Sequence, residues 1–151
     1  MAAYYVALAL HILGATIWAG GHLVLATTIL PRALRERRAA AVKDFEGNFE
    51  RIGLPALAVQ ILTGLWLAHH LLGSPGNWFG GNALAHLVQV KLGLLALTLA
   101  LAVHARLRVV PKLSDDTLPA LAWHIRLVTL AAVVFVLAGA SIRLGGYPVT
   151  R

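Results

Sequence analysis

Seven histidines, Lys91, Arg126 and Arg143 fall within or at the ends of long apolar runs, and the chain has no cysteine. Without thiolates, any metal chemistry rests on imidazole, whose nitrogens ligate iron, copper and zinc. His11 and His22 are eleven residues apart, which at about 100° per residue returns to within roughly 20° of one helix face and separates them by about 16 Å. His86 and His104 are eighteen apart; five helical turns put them on a shared face at about 27 Å. Gly14, Ala15 and Trp18 lie on the first stripe, and Val90, Gly93, Leu97 and Ala100 on the second. Both stripes are expected to face inward. Histidines beside small residues leave room for something flat and wide, and a porphyrin held by imidazole is one candidate, with Leu97 packed against its edge.

The elements that must position these groups follow from hydropathy. Of 151 residues, 59% are hydrophobic and 13% charged, with a mean hydropathy of +0.77, too little charge to cover the surface of a soluble domain. Four runs are long and apolar enough to cross about 30 Å of hydrocarbon: Tyr4 to Leu30, Ile52 to Leu72, Ala83 to Ala105, and Leu118 to Leu144. The expectation is a single all-α transmembrane domain over residues 1–151, a four-helix bundle. The first run lacks a basic leader, is too long for a signal sequence and runs into arginines, so it is expected to remain in the mature protein. The first connection holds Arg32, Arg35, Arg37, Arg38, Lys43 and Arg51, the third holds Arg106, Arg108 and Lys112, and the second, GSPGNWFGGN, has no charge. The positive-inside rule then places the first and third connections in the cytoplasm and both termini in the periplasm, in a multi-pass protein of a bacterial inner membrane. Pro31 and Pro111 are expected to close helices 1 and 3, and Trp78, Phe79 and Tyr147, with Tyr4 and Tyr5, to sit at the outer interface. The stretch Asp44 to Glu50 either lies on the cytoplasmic surface, extends helix 2, or forms a solvated loop. The net charge of +7 sits in short connections rather than along a face, which argues against nucleic acid as a partner and for membrane lipid.

Ionisable groups inside hydrocarbon are expensive and mark function by default. Counted along the helices, they form two layers. The outer one contains His11, His86 and Lys91, with His69, His70 and Arg143 nearer the surface. The inner one contains His22, His104, His124 and Arg126. Unequal spacing on helices 1 and 3 offsets each pair by about 5 Å or more. The competing readings are ordinary ones. A lone membrane histidine more often hydrogen-bonds across helices than binds metal. Gly93, Ala96 and Ala100 match small-residue helix packing, which allows a homodimer without requiring it. Arg126 and Arg143 either snorkel or pair with a haem propionate. Lys91 lies over two turns inside its run with no acidic residue in any span, so it must be ligated, face a polar cavity or give up its charge.

The segments LHILGATIWAGGHLVLATTILPR, RIGLPALAVQILTGLWL and VQVKLGLLALTLALAVHARL together resemble the copper resistance D (CopD) family and its relative, the HemJ-type protoporphyrinogen oxidase. The likeness spans roughly the first three helices. His11, Trp18, Gly20 and the Pro31-Arg32 pair match the opening of those families in kind, and Lys91 falls where the HemJ-type proteins have a lysine in a VKL setting. The resemblance implies a helical bundle in which the first-helix histidine, and that lysine, engage b-type haem; for CopD relatives it implies copper handling. The stretch between Trp18 and Pro31 is longer here than in the HemJ type. CopD proteins usually have more than four helices, so a short stand-alone version is expected.

Three functions fit the residues. The leading one is a membrane b-type haem protein for electron transfer, with His11 and His22 as axial ligands in the two layers and partners drawn from His86, Lys91, His104 and His124; quinone or another redox protein would be its partner. The second is a copper-binding or copper-transporting protein, for which the lack of cysteine and the single methionine are unfavourable to Cu(I). The third is an accessory subunit of a larger membrane complex. No phosphate loop, serine triad or carboxylate pair suggests hydrolase or kinase chemistry, and oxidoreductase activity stays open.

Overall fold

The computed structural model describes residues 1–143, with side chains through Ser141. Four helices are long and apolar enough to cross a membrane: α1 (Ala2–Glu36), α2 (Ala39–Leu72), α3 (Ala83–Lys112) and α4 (Leu118–Arg143). The chain is thus an all-helical, multi-pass membrane protein in contact with lipid. Two hairpins, α1–α2 and α3–α4, place the basic connections at one end of the bundle. Helix α1 packs on α2 and on α4, α4 packs on α3, and α2 and α3 touch little, so the bundle is open along one side.

Pro31 does not close the first helix, contrary to expectation. The helix runs on to Glu36, with Leu25–Ile29 wound as a π turn just before the proline. A proline ring crowds the carbonyl four residues back and offers no N–H, and a widened turn relieves both problems. Ala105–Val109 is a second π turn, two residues before Pro111, where α3 does finish in a 3₁₀ turn over Val110–Lys112. Helix α1 instead stops at Arg37, which adopts a left-handed conformation (φ 50°) while the Arg38 N–H reaches back to the Ala33 carbonyl at 3.0 Å. Helix α2 begins thirteen residues ahead of the expected Ile52, so Asp44 to Glu50 extends it beyond the apolar run. Its first N–H, on buried Ala39, is capped across the fold by Asp115 Oδ1 at 2.8 Å.

The dry core sits at this basic end, where Leu25, Leu30, Val42, Leu118, Leu121 and Ile125 interlock. The uncharged connection at the other end is fixed by side-chain amides. Asn77 Nδ2 donates to the Leu72 carbonyl at 2.8 Å, Gln89 Nε2 donates to the Trp78 carbonyl at 3.0 Å, and Asn82 Oδ1 caps α3 by accepting from the Ala85 N–H at 2.8 Å.

Helices α1 and α2 approach backbone to backbone at Gly14, where an added Cβ would lie 2.9 Å from the Ala56 carbonyl oxygen and 3.2 Å from Gln60 Cβ. Gly93 on α3 faces open space. Gly14→Ala is therefore expected to force the helices apart and destabilise the bundle by about 1–3 kcal/mol, whereas Gly93→Ala should be neutral or gain up to about 1 kcal/mol of helix propensity. Thermal unfolding of the two variants in one detergent checks the contrast, and equal melting temperatures would refute it.

Candidate functional site

The four helices border a half-open cavity of about 400 Å³, a size typical of small-molecule sites. Its walls are mostly apolar, and all four helices contribute. His11 and Trp18 come from α1, Gln60 and Gly64 from α2, Lys91 and Thr98 from α3, and Phe135 and Gly139 from α4. Leucine, alanine and valine fill the remainder, so its polar groups are few.

His11 is tethered from behind. Its Nδ1 lies 3.0 Å from the Gln60 carbonyl oxygen and 3.1 Å from Thr63 Oγ1, whose own hydroxyl donates to the Val59 carbonyl at 2.6 Å. A carbonyl only accepts, so the neutral ring has its proton on Nδ1 and leaves Nε2 with a free lone pair. Gly64 gives the ring room, since a Cβ there would approach His11 Cε1 to 3.0 Å. The wall next to His11 is thus a stack of α2 turns, Gln60, Thr63 and Gly64, on the face that α1 packs against.

Lys91 enters the same cavity from α3. Its Nζ lies 6.0 Å from the centre of the Phe135 ring and close against Gly139, where a Cβ would stand 3.3 Å away. It has no ion pair or hydrogen bond among the described residues. Two further cavity-lining groups, Gln60 Oε1 and Thr98 Oγ1, are buried without a hydrogen-bond partner there. Buried polar atoms usually have partners; these two have none among the described residues.

The α3 face differs from expectation. His86, Val90, Gly93, Leu97, Ala100 and His104 are all exposed, so the stripe predicted to face inward looks out of the bundle. Leu97 therefore has no porphyrin edge to pack against inside this chain. The inward face is Val88, Lys91, Leu95 and Thr98; Lys91 lies about 140° around the helix from His86, and only one of the two can point in. Thr98, Gln60, Thr63 and Gly139 escaped the sequence reading. The signal for Thr98 was the spacing of seven residues from Lys91, and for Gln60 its place as a polar residue inside an apolar run.

The structure brings some of these groups together and keeps others apart. His11 and Lys91 share the cavity, whereas His86 does not join them. His69 and His70 are exposed, and His70 stacks on Trp66 at 5.1 Å and lies 5.3 Å from Tyr4. In the other layer His104 and His124 do meet. His104 Nδ1 and His124 Nε2 are 2.9 Å apart, and His124 Nδ1 is tied to the Ala120 carbonyl at 3.2 Å. His22 packs separately, with Nδ1 2.9 Å from the Trp18 carbonyl and its ring against both Trp18 and Phe49, at 4.4 and 5.8 Å. Arg126 is exposed and lies over the Trp123 ring at 5.5 Å. The Arg143 side chain, Leu144 and Tyr147 lie outside the described residues. Among the described residues no group of three or more His, Asp or Glu is placed to hold a metal ion.

A family model described as Copper resistance protein D matches residues 43–142, two thirds of the chain, spanning α2 to α4 and including Lys91, His104 and His124. No curated protein and no solved structure matches.

The orphaned Thr98 hydroxyl gives a direct test of the cavity. Thr98→Val removes a buried, unpartnered polar group, a penalty of about 1–3 kcal/mol, so the ligand-free protein is expected to melt higher. A lower melting temperature would mean that the hydroxyl already has a partner in the empty protein.

Proposed function

The chain belongs to the copper resistance protein D family, and from that premise we propose that it is a b-type haem protein of a bacterial inner membrane, exchanging electrons with quinone or another redox protein. The observation behind this reading is the tethered imidazole of His11. A ligating histidine typically donates its second ring N–H to a carbonyl or carboxylate, which fixes the tautomer and aims the other nitrogen. The Gln60 carbonyl does this for His11 at 3.0 Å, on a side chain that lines the cavity.

The donor set also favours a macrocycle over a bare ion. A porphyrin brings four nitrogens and asks the protein for one or two more, whereas a lone metal ion needs three or four protein donors. The cavity offers one imidazole and one amine on otherwise apolar walls. When bound, haem supplies one-electron transfer. His11 would hold it through Nε2, Trp18 and Phe135 would shield it from water, and the opening between α2 and α3 would accommodate its edge. His22, with Nδ1 held by the Trp18 carbonyl, is the candidate ligand for a second layer. A group held by His86 would need a partner from a second chain, because this side chain faces outward. With the basic connections in the cytoplasm, both termini face the periplasm and the His11 level lies toward that side.

The family match favours a second reading, copper handling. Its meeting point would be His104 and His124, whose facing nitrogens are 2.9 Å apart; with no cysteine in the chain, such a site suits Cu(II) rather than Cu(I).

The purified protein is expected to show a Soret band and an α band that sharpens on reduction, and His11→Ala to lose most of its haem. Full occupancy in His11→Ala, with helicity unchanged, would strike His11 from the ligand set. A colourless wild-type protein that retains copper on metal analysis would favour the second reading.

A further inference from the structure

The haem reading leaves one charge unaccounted for. The chain has six side-chain carboxylates, Glu36, Asp44, Glu46, Glu50, Asp115 and Asp116, and all lie in or beside the basic connections. There they have work to do. Glu36 pairs with Arg32, Glu50 with Arg106, and Asp115 caps α2. Lys91 is fifteen residues before Arg106 on the same helix, about 22 Å along its axis, so no side-chain carboxylate of this chain reaches it. The Phe135 ring face, 6.0 Å from Nζ, is the nearest favourable contact, and a single aromatic face is a weak counterpart for an ammonium in hydrocarbon. Gly139 lies close beside Nζ, where an added Cβ would stand 3.3 Å away. Thr98, only 3% exposed, lines the same cavity seven residues further along the same face and has a buried hydroxyl without a hydrogen-bond partner among the described residues.

We propose that Lys91 is the anion receiver of the cavity: it pairs with a carboxylate borne by the bound macrocycle and so selects carboxylate-bearing porphyrins over neutral ones. This rests on the haem reading and deepens it, assigning Lys91 to the ligand's periphery and His11 to its metal. The cavity thereby completes its charge balance only when filled. An anionic substituent would neutralise Lys91, while the apolar ring would meet the leucine and aromatic walls. A neutral ring of the same shape would leave the ammonium buried against Phe135 without a counterion.

The test compares haem b with its dimethyl ester, in which both carboxylates are blocked, by absorbance titration of the full chain in detergent. Wild-type protein is expected to prefer haem b, and Lys91→Met to reduce that preference by about ten-fold or more while leaving the Soret and α bands in place. Lys91→Arg, which keeps the charge but cannot ligate iron, is expected to restore the preference. An equal affinity of wild type for both macrocycles, or a preference that survives Lys91→Met, overturns the proposal. So does a shift of the bands in Lys91→Met, which would make Nζ an axial ligand. A wild-type protein that takes up neither macrocycle overturns the haem reading itself, a different result from binding both equally.

Discussion

Hydrocarbon has no water to lend, so every polar group inside a span must find its partner in the protein or in something the protein binds. That constraint organises the bundle. At the basic end it is met internally. Carboxylates neutralise arginines, Asp115 closes the start of α2, and a continuous apolar core lies beneath. Toward the uncharged end it is not met internally. One ammonium, one amide oxygen and one hydroxyl border a cavity without partners among the described residues. The three groups left without partners all belong to residues that line the one cavity, the feature on which the proposed function rests.

The precision of that void comes from backbone contact. Gly14 allows α1 to lie against the Ala56 carbonyl, and one turn further along α2 the Gln60 carbonyl accepts from His11 Nδ1. The same close approach that packs the helices therefore fixes the imidazole tautomer and its rotation. A larger residue at position 14 would move the carbonyl that orients His11, so helix packing and ligand geometry are not separable on this face. By contrast, α2 and α3 make little contact with each other.

The helices were legible in the sequence because hydrophobic length is a direct readout of bilayer thickness, and the uncharged second connection separated the middle pair cleanly. Their ends were less so. Pro31 reads as a terminator, yet a π turn absorbs it, and that adjustment depends on packing at Leu25 and Leu30 rather than on any local signal. The orientation of α3 was misjudged for a geometric reason. Residues 86 and 104 share a face at any rotation of the helix, so their spacing shows that they align but not which way they point. Lys91 held the missing information. It is the deepest cation on α3, and a charge at that depth has a stronger claim on the interior than histidines at the two ends of the helix. Counting from Lys91 instead yields Val88, Leu95 and Thr98, the face that lines the cavity.

Depth also explains why the remaining histidines distribute as they do. His86, His69 and His70 lie near helix ends, where a ring nitrogen can reach headgroups or water, His104 lies at the end of the apolar part of α3 beside Arg106, and each is exposed. His11 and His22 sit deeper on α1, and both have Nδ1 tied to a backbone carbonyl. A tether of this kind satisfies the donor and leaves a basic nitrogen, Nε2, in a region with few donors to meet it. In hydrocarbon a lone pair without a donor is an unfavourable end state for the empty protein. For His11 that lone pair belongs to a residue lining the cavity; for His22 it lies in an aromatic setting beside Trp18 and Phe49. The imidazole with space before it is therefore the one with most to gain from an electrophilic partner, and a metal centre that brings its own equatorial nitrogens asks no more of this cavity than His11 can give.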